Sequence, residues 1–321
     1  MSTKPQLYIH IGQPRTATTT LQYFILNNVD KLEKDGLRYL QAGRSDFENH
    51  KELWMSILSA LGGTVGKKYS DVKIPELSDT LNKIKMEITR EECSKFLVSS
   101  EGFSSILRHQ NRDDVISYVK NYLSEFCDVS IICYCRAPLS SLLSNYNQRC
   151  KTSAYVGPLI DFAFDAMRPV LNQKKLIDFY TEHFTRPRII MRRYGDYSGH
   201  DLICDFLDIL GIDATDYSKF PAENASLPIA DAEASRIKHN MAGIGAHKID
   251  RYIYGRPQPT PLEWQQFVDD LEAINADNKA LFTEYFGEAP DPITLPDLIW
   301  AEREINHKVA TKNLWRSIQS A

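Results

Sequence analysis

The chain has 321 residues, enough to bury a sizeable core, and its 43% hydrophobic and 25% charged residues are typical of a globular protein. Its 38 Lys and Arg against 42 Asp and Glu give a formal net charge of −4, which gives no reason to expect a nucleic-acid partner. With no leader-like pattern at the start and no apolar stretch of membrane-spanning length, we expect a soluble cytoplasmic protein. Its six cysteines include no C-x-x-C pair, so we expect reduced core thiols.

The first predicted element is a strand that runs into an anion-binding loop. Residues 7–22 read LYIHIGQPRTATTTLQ, and the alternation of apolar side chains predicts a strand over 7–11. Gly12 permits a sharp turn, and the hydroxyl-rich run from Thr16 to Thr20 opens a helix. A helix N-terminus presents unpaired N–H groups and the positive end of the helix dipole. With the charge of Arg15, this loop favours a phosphate or sulfate.

The loop lacks the second glycine and the Gly-Lys-Ser/Thr ending of a nucleoside triphosphatase loop, which argues against a kinase. It instead resembles the 5′-phosphosulfate loop of sulfotransferases that use 3′-phosphoadenosine 5′-phosphosulfate (PAPS), approximately G-x-P-K-T-G-T-T-x-L-Q. The matching residues are Gly12, Pro14, Thr16, Thr18, Thr19, Leu21 and Gln22. The resemblance implies that residues from Gly12 to Thr20 hold the donor, among them Pro14, Arg15, Thr16, Ala17, Thr18 and Thr19.

Two residues of the loop depart from the family pattern. Arg15 stands where the family has lysine, and a planar guanidinium is not equivalent to a compact ammonium at the bridging oxygen that the family residue contacts. Ala17 stands where the family usually has glycine. Because a Cβ disfavours the left-handed region, we expect Ala17 to have a negative φ.

Two possible bases precede the next motif. Glu101, in VSSEGFS, follows a strand predicted over 95–99, and the family resemblance puts an S-S-E motif here; the alternative is that it caps a helix or forms an ion pair. His50, in SDFENHKELWMSIL, comes directly before an apolar helix and resembles a histidine on the acceptor side of bacterial members. The alternative for His50 is a solvent-exposed histidine in the first helical turn.

A second family motif follows the strand predicted over 129–135. Arg136 ends that strand, Pro138 begins a helix, and Ser144 lies eight residues after the arginine. The family's 3′-phosphate motif has this spacing, so the resemblance implies that Arg136 and Ser144 bind the 3′-phosphate. Arginine suits a phosphomonoester because it donates two parallel hydrogen bonds.

The last predicted strand, over 188–191, ends at Arg192, which we also assign to cofactor binding; the alternative is an ordinary solvated surface charge. An apolar 3.6-residue period then predicts a helix over 202–210, with Gly211 as its C-terminal stop. Beyond about residue 215, helical stretches around 229–243, 261–285 and 297–318 suggest a helical C-terminal extension. Strands alternating with helices predict an α/β, P-loop-like three-layer fold with a central parallel sheet. We expect one sulfotransferase-like domain over 1–321, with a core of about 1–214.

The resemblance is to the bacterial carbohydrate and polysaccharide sulfotransferases. It implies transfer of a sulfuryl group from PAPS to a hydroxyl or amine of a carbohydrate-like acceptor, with PAPS as co-substrate and no metal. Arg15, Glu101 and His50 are the candidate catalytic residues. Two alternatives stay open: a sulfotransferase-like protein that binds the nucleotide without turnover, and a nucleotide-dependent kinase.

Overall fold

A five-stranded parallel sheet forms the centre of the fold. In the computed structural model, the described residues are 4–45, 49–63, 73–90, 92–151, 159, 162–197, 200–217 and 260–294. The strands are β1 (Gln6–His10), β2 (Leu37–Tyr39), β3 (Lys95–Ser99), β4 (Asp128–Arg136) and β5 (Ile189–Tyr194). Their order across the sheet is β2-β3-β1-β4-β5, and every neighbouring pair is parallel.

Helices connect and cover the strands, as parallel pairing requires. The α-helices are α1 (Thr18–Asn27), α2 (Val29–Lys34), α3 (Lys51–Ala60), α4 (Leu77–Arg90), α5 (Arg112–Ser124), α6 (Pro138–Lys151), α7 (Arg168–Leu171), α8 (Gln173–Phe184), α9 (His200–Ile209) and α10 (Pro261–Phe286). Short 3-10 helices span Glu101–Arg108 and Arg186–Arg188, and a π-helix spans Phe162–Met167.

The sheet is buried on both faces. Seven consecutive residues of β4, from Val129 to Cys135, are buried, which is typical of a parallel strand covered on both sides. Ile132 and Tyr134 belong to a core cluster with residues of α1, α2 and α9, among them Phe24 and Phe206. α5 also packs against β4.

The strand order fixes where a ligand can bind. β1 lies in the middle of the sheet, with β3 on one side and β4 on the other. The chain therefore changes direction across the sheet at β1, and ligands of such sheets bind beyond the carboxyl ends of the strands at this point. Gly12 and Glu101 lie two residues beyond the ends of β1 and β3, and Arg136 ends β4.

The chain divides into two compact units. The first comprises residues 1–136 and 175–224 and contains the sheet; the second comprises residues 137–174 and 225–321. Within the second unit, Asn278 of α10 accepts from the backbone N–H of Gln173 and donates to the carbonyl of Leu171. A cluster that includes Tyr146, Phe162 and Phe267 forms the core of this unit.

The predicted fold class is confirmed: a central parallel sheet flanked by helices. The four predicted strands are present, α6 begins at Pro138, and α9 and α10 match predicted helices. β2 was not predicted, since a three-residue edge strand carries too short an alternation to detect. The six cysteines are free thiols, four of them buried. The helices predicted around 229–243 and 297–318 lie outside the described residues.

Candidate anion-binding site

The loop after β1 is held by backbone hydrogen bonds to β4. Ile11 donates to the carbonyl of Ile132 at 3.0 Å, Tyr134 donates to Gly12 at 2.8 Å, and Gln13 donates to Tyr134 at 3.2 Å. The hydroxyl of Thr16 closes the loop by donating to the carbonyl of Gln13 at 2.7 Å. Pairing with β4 thus continues beyond the end of β1 and fixes the start of the loop.

The backbone of the loop enters the left-handed region at three residues. Gly12 has φ +95°, and a Cβ placed on it would lie 3.2 Å from the backbone nitrogen of Pro14 and 3.6 Å from Glu101 Cγ. Arg15 has φ +69° and Ala17 has φ +57°. The expectation of a negative φ at Ala17 is wrong: the turn into α1 requires a left-handed residue, which explains why glycine is usual in the family at this position.

The loop ends at the N-terminus of α1. The helix begins at Thr18, and its first backbone bond joins the N–H of Leu21 to the carbonyl of Ala17 at 3.1 Å. Ala17, at the N-cap, has no side-chain oxygen with which to accept from the first turn. The first N–H groups of a helix have no intrahelical acceptor, so this end of α1 is suited to an anion.

Glu101 lies against the loop and reaches the same helix end. The hydroxyl of Thr18 donates to its carboxyl group. Burial raises the pKa of Glu101 to about 7, although the positive charge of Arg15 acts in the opposite direction. The carboxyl group is therefore poised to gain or lose a proton near neutral pH, which is what a general base requires.

Two arginines lie at the loop: Arg15 belongs to it, and Arg136 ends β4. Arg136 donates from Nη1 to the carbonyl of Arg15 at 2.8 Å, and its Cζ lies 5.3 Å from the ring centroid of Tyr194. Burial lowers the pKa of Arg136; Tyr194 opposes this effect and the charge of Arg15 adds to it. Because the two cations repel each other, an anion bound near both would stabilise both.

The remaining predicted donor contacts differ in accessibility. Pro14 is half-buried, Thr19 is exposed, and Thr20 is buried. Ser144 lies on α6 in the second unit, where it is buried. Its pairing with the same phosphate as Arg136 stays a prediction.

His50 is buried next to the end of β3 and not in solvent. It is the N-cap residue of α3 and is 0% exposed. Its Nδ1 accepts from the backbone N–H of Ser99 at 3.1 Å, so the ring proton is on Nε2. Burial, with the charge of Arg44, lowers the pKa of His50 to about 3. The alternative of a solvent-exposed histidine is wrong, because β3 and Tyr39 cover the ring.

Arg192 is ion-paired with a residue that the sequence did not single out. Its Nε lies 2.9 Å from Oδ1 of Asp205 on α9, and the hydroxyl of Tyr134 donates to Oδ2 of the same carboxylate at 2.6 Å. Asp205 is one turn from Leu202 and adjacent to Phe206, beside the apolar face of the helix. A carboxylate in that position requires a charged partner, which is a signal that the sequence could have provided.

Comparisons with known proteins gave structural neighbours and no sequence match. No protein-family model and no curated protein matches the chain. The fold is similar to a solved sulfotransferase from Alicyclobacillus acidocaldarius, with a TM-score of 0.46 and 11% identity over 78% of this chain and 94% of that one. It is also similar to the sulfotransferase domain of the Synechococcus PCC 7002 olefin synthase, with a TM-score of 0.35 and 12% identity over 83% of this chain and 94% of that one. Both are sulfotransferases.

Within the described part of the chain, no group of three or more His, Cys, Asp or Glu residues is arranged to hold a metal ion. No helix in these residues is long and apolar enough to cross a membrane.

The left-handed conformation of Ala17 predicts a stabilising substitution. We expect Ala17→Gly to raise the free energy of unfolding by up to about 1 kcal/mol, since glycine adopts φ +57° without the Cβ clash. Urea denaturation measures the change. Ala60→Gly at the end of α3 is the matched control and should destabilise, because that residue is helical. A loss of stability in Ala17→Gly would contradict the argument.

The raised pKa of Glu101 predicts a pH-dependent stability. The pKa rises from the ordinary value of 4.5 to about 7 on folding, so the folded protein binds this proton more tightly than the unfolded chain. Its contribution is present below pH 4.5 and is lost as the pH rises through about 7. Relative to Glu101→Gln, the wild type should lose about 2 to 3 kcal/mol across this interval.

Urea denaturation at each pH measures this difference. The matched control is Glu125→Gln, which replaces an exposed carboxyl group at the end of α5. A constant difference between the wild type and Glu101→Gln from pH 4.5 to 8 would show that burial does not perturb Glu101.

Proposed function

We propose that this protein is a PAPS-dependent sulfotransferase that transfers a sulfuryl group to a hydroxyl of a carbohydrate-like acceptor. The observation that carries the proposal is the arrangement at three adjoining strand ends. The Gly12–Thr20 loop follows β1, Glu101 follows β3, and Arg136 ends β4 and donates to the loop. The loop with Arg15, the guanidinium of Arg136 and a carboxyl group of raised pKa thus lie at one edge of the sheet, which supports the proposal.

In this proposal the donor lies along the loop. The phosphosulfate binds the N-terminal N–H groups of α1, with Arg15, Thr18 and Thr19 around it. Arg136 binds the 3′-phosphate together with Ser144, and Tyr194 keeps the Arg136 guanidinium oriented. Arg192 lines the nucleotide side, with its Nε held by Asp205.

The reaction needs no resident cofactor. The acceptor oxygen forms a bond to sulfur while the bond between sulfur and the bridging oxygen breaks. The acceptor proton passes to Glu101, and the leaving group is 3′-phosphoadenosine 5′-phosphate. Arg15 stabilises the negative charge that develops on its 5′-phosphate. By analogy with phosphoryl transfer, positioning and electrostatic stabilisation supply most of the rate acceleration.

Two observations favour Glu101 over His50 as the base. The Glu101 carboxyl group contacts Thr18 at the start of α1, and its pKa of about 7 suits proton transfer near neutral pH. The ring of His50 is buried, its Nδ1 already accepts from Ser99, and its pKa is about 3. A histidine in that state binds protons poorly at neutral pH.

A second candidate function is nucleotide binding without turnover. The observations that favour it are the strained Ala17 and the guanidinium at Arg15 in place of an ammonium. Incubation with PAPS and an acceptor panel distinguishes the two functions: nucleotide binding without sulfuryl transfer supports this second one. Phosphoryl transfer that depends on magnesium and ATP would instead support a kinase.

The proposed 3′-phosphate site predicts nucleotide discrimination. We expect 3′-phosphoadenosine 5′-phosphate to bind at least about a hundredfold more tightly than adenosine 5′-phosphate, because Arg136 forms charge-assisted hydrogen bonds with the additional phosphate. Arg136→Ala should abolish the difference, and Arg193→Ala on β5 is the matched arginine control. Calorimetry measures both affinities. Equal affinities in the wild type would overturn the assignment.

The proposed contact to the bridging oxygen predicts a kinetic signature for Arg15. Arg15→Ala should lower kcat by about a hundredfold or more while nucleotide affinity changes much less, since the charge is needed most in the transition state. Arg15→Lys should retain or raise turnover. Initial-rate kinetics and nucleotide titration are compared for each variant; equal losses in kcat and affinity would make Arg15 a binding residue only.

The proposed base predicts a pH-dependent rate. Glu101→Gln should lower kcat by about a hundredfold or more with donor affinity unchanged, because the base is lost at nearly constant shape. In the wild type, kcat should fall as the pH drops below about 7. His50→Ala is the parallel variant. An unchanged kcat in Glu101→Gln would exclude Glu101 as the base, whatever the activity of His50→Ala.

A further inference from the structure

An indole ring covers the residue after Glu101. A Cβ placed on Gly102 would lie 2.2 Å from Cγ, 2.3 Å from Cδ1 and 2.5 Å from Cδ2 of Trp54. The ring therefore occupies the volume in which every other amino acid would carry its side chain. Because residue 102 is glycine, the indole ring can lie against the backbone of the residue that follows Glu101, the proposed base.

The backbone of Trp54 is held close to the end of β3. His50 donates its backbone N–H to the carbonyl of Ser99 at 2.9 Å, and its ring accepts from Ser99 in return. The N–H of Trp54 then donates to the carbonyl of His50 at 3.2 Å, in the first turn of α3. Both the backbone and the ring of His50 are thus hydrogen-bonded to Ser99. The start of α3 therefore cannot move independently of β3, the strand that leads to Glu101.

Two further rings restrict the orientation of the indole. The ring centroid of Phe103 lies 5.7 Å from that of Trp54 at an interplanar angle of 59°, and His109 lies at 6.5 Å and 60°. Phe103 is buried, whereas Trp54 is only half-buried and keeps part of its surface in solvent. A large aromatic side chain that is packed on several sides and still accessible is suited to ligand contact.

We infer that Trp54 is an acceptor-positioning residue: the flat face of a ring-shaped acceptor stacks on the indole and directs a hydroxyl at the edge of that ring toward Glu101. The inference rests on the proposed function. A pyranose ring and a phenol share the required chemistry, a flat face with a hydroxyl in or near its plane. A flexible aliphatic alcohol lacks that face and gains less from a planar surface.

The test uses cellotetraose and 4-nitrophenol as the two ring probes and 1-octanol as the aliphatic probe. Calorimetric titration into the protein saturated with 3′-phosphoadenosine 5′-phosphate measures binding. We expect the wild type to bind at least one ring probe. Trp54→Ala should weaken that binding by about tenfold or more, and Trp54→Phe should retain most of it. Gly102→Ala should weaken it as well, because the new Cβ displaces the indole.

A kinetic readout separates positioning from catalysis. With PAPS as donor, Trp54→Ala should raise KM for the ring probe by about tenfold while kcat changes less than about threefold. Tyr118→Ala, which removes an exposed aromatic ring on α5, is the matched control and should leave both constants unchanged. Circular dichroism of each variant verifies that it is folded.

The outcomes are distinct. Unchanged ring binding in Trp54→Ala, no binding of either ring probe to the wild type, or preferential binding of 1-octanol would each overturn the inference. Failure of the wild type to bind 3′-phosphoadenosine 5′-phosphate would instead overturn the proposed function. Tighter binding of cellotetraose supports the carbohydrate-like acceptor of the proposed function, whereas tighter binding of 4-nitrophenol points to a phenol in its place.

Discussion

The candidate site depends on the backbone hydrogen bonds between the loop after β1 and the C-terminal half of β4. Tyr134 donates to Gly12 and accepts from Gln13, so the chain leaves β1 along a fixed path before it turns into α1. Arg15 and Ala17 then adopt left-handed conformations, and the N-terminus of α1 faces the carboxyl edge of the sheet. Without this pairing, neither the N–H groups at the start of α1 nor the backbone of Arg15 would have a defined position. The same Tyr134 binds Asp205 through its hydroxyl, which connects the loop to α9 and Arg192.

Opposing electrostatic effects set the pKa of Glu101 at the carboxyl edge of the sheet. Burial favours the neutral form of Glu101, whereas the nearby positive charge of Arg15 favours the carboxylate. The balance leaves a pKa of about 7. On the other side of the loop, Arg136 also experiences the charge of Arg15 while its guanidinium stacks on Tyr194. An anionic donor would relieve the repulsion between the arginines, and it would also change the balance at the carboxyl group.

Two buried histidines have pKa values so low that they do not bind a proton at neutral pH. His10 and His50 contact the side chain and the backbone of Ser99, respectively, and both rings are fully buried. Desolvation lowers their pKa values to about 4 and about 3. Both rings are therefore neutral at physiological pH. Both rings contact Ser99 at the end of β3, and His50 is also the N-cap residue of α3, from which Trp54 covers Gly102.

The sequence by itself determined the features that short patterns encode. Alternating or continuous apolar runs identified four strands, and Pro138 and Gly211 marked helix ends. The order of the motifs indicated a parallel sheet with Gly12, Glu101 and Arg136 at one edge. These features follow from local periodicity and from the backbone limits of proline and glycine. The three-residue β2 is too short for an apolar alternation to reveal it.

Only the tertiary structure decided the conformation of Ala17, the burial of His50, the pairing of Arg192 with Asp205 and the contact of Trp54 with Gly102. Each depends on residues distant in sequence or on a turn whose handedness the sequence leaves open. The φ of Ala17 is positive because the chain must connect a loop fixed on β4 to the first turn of α1. Likewise, the pKa values of Glu101 and His50 depend on how much water and charge the folded chain leaves around them, which no local pattern specifies.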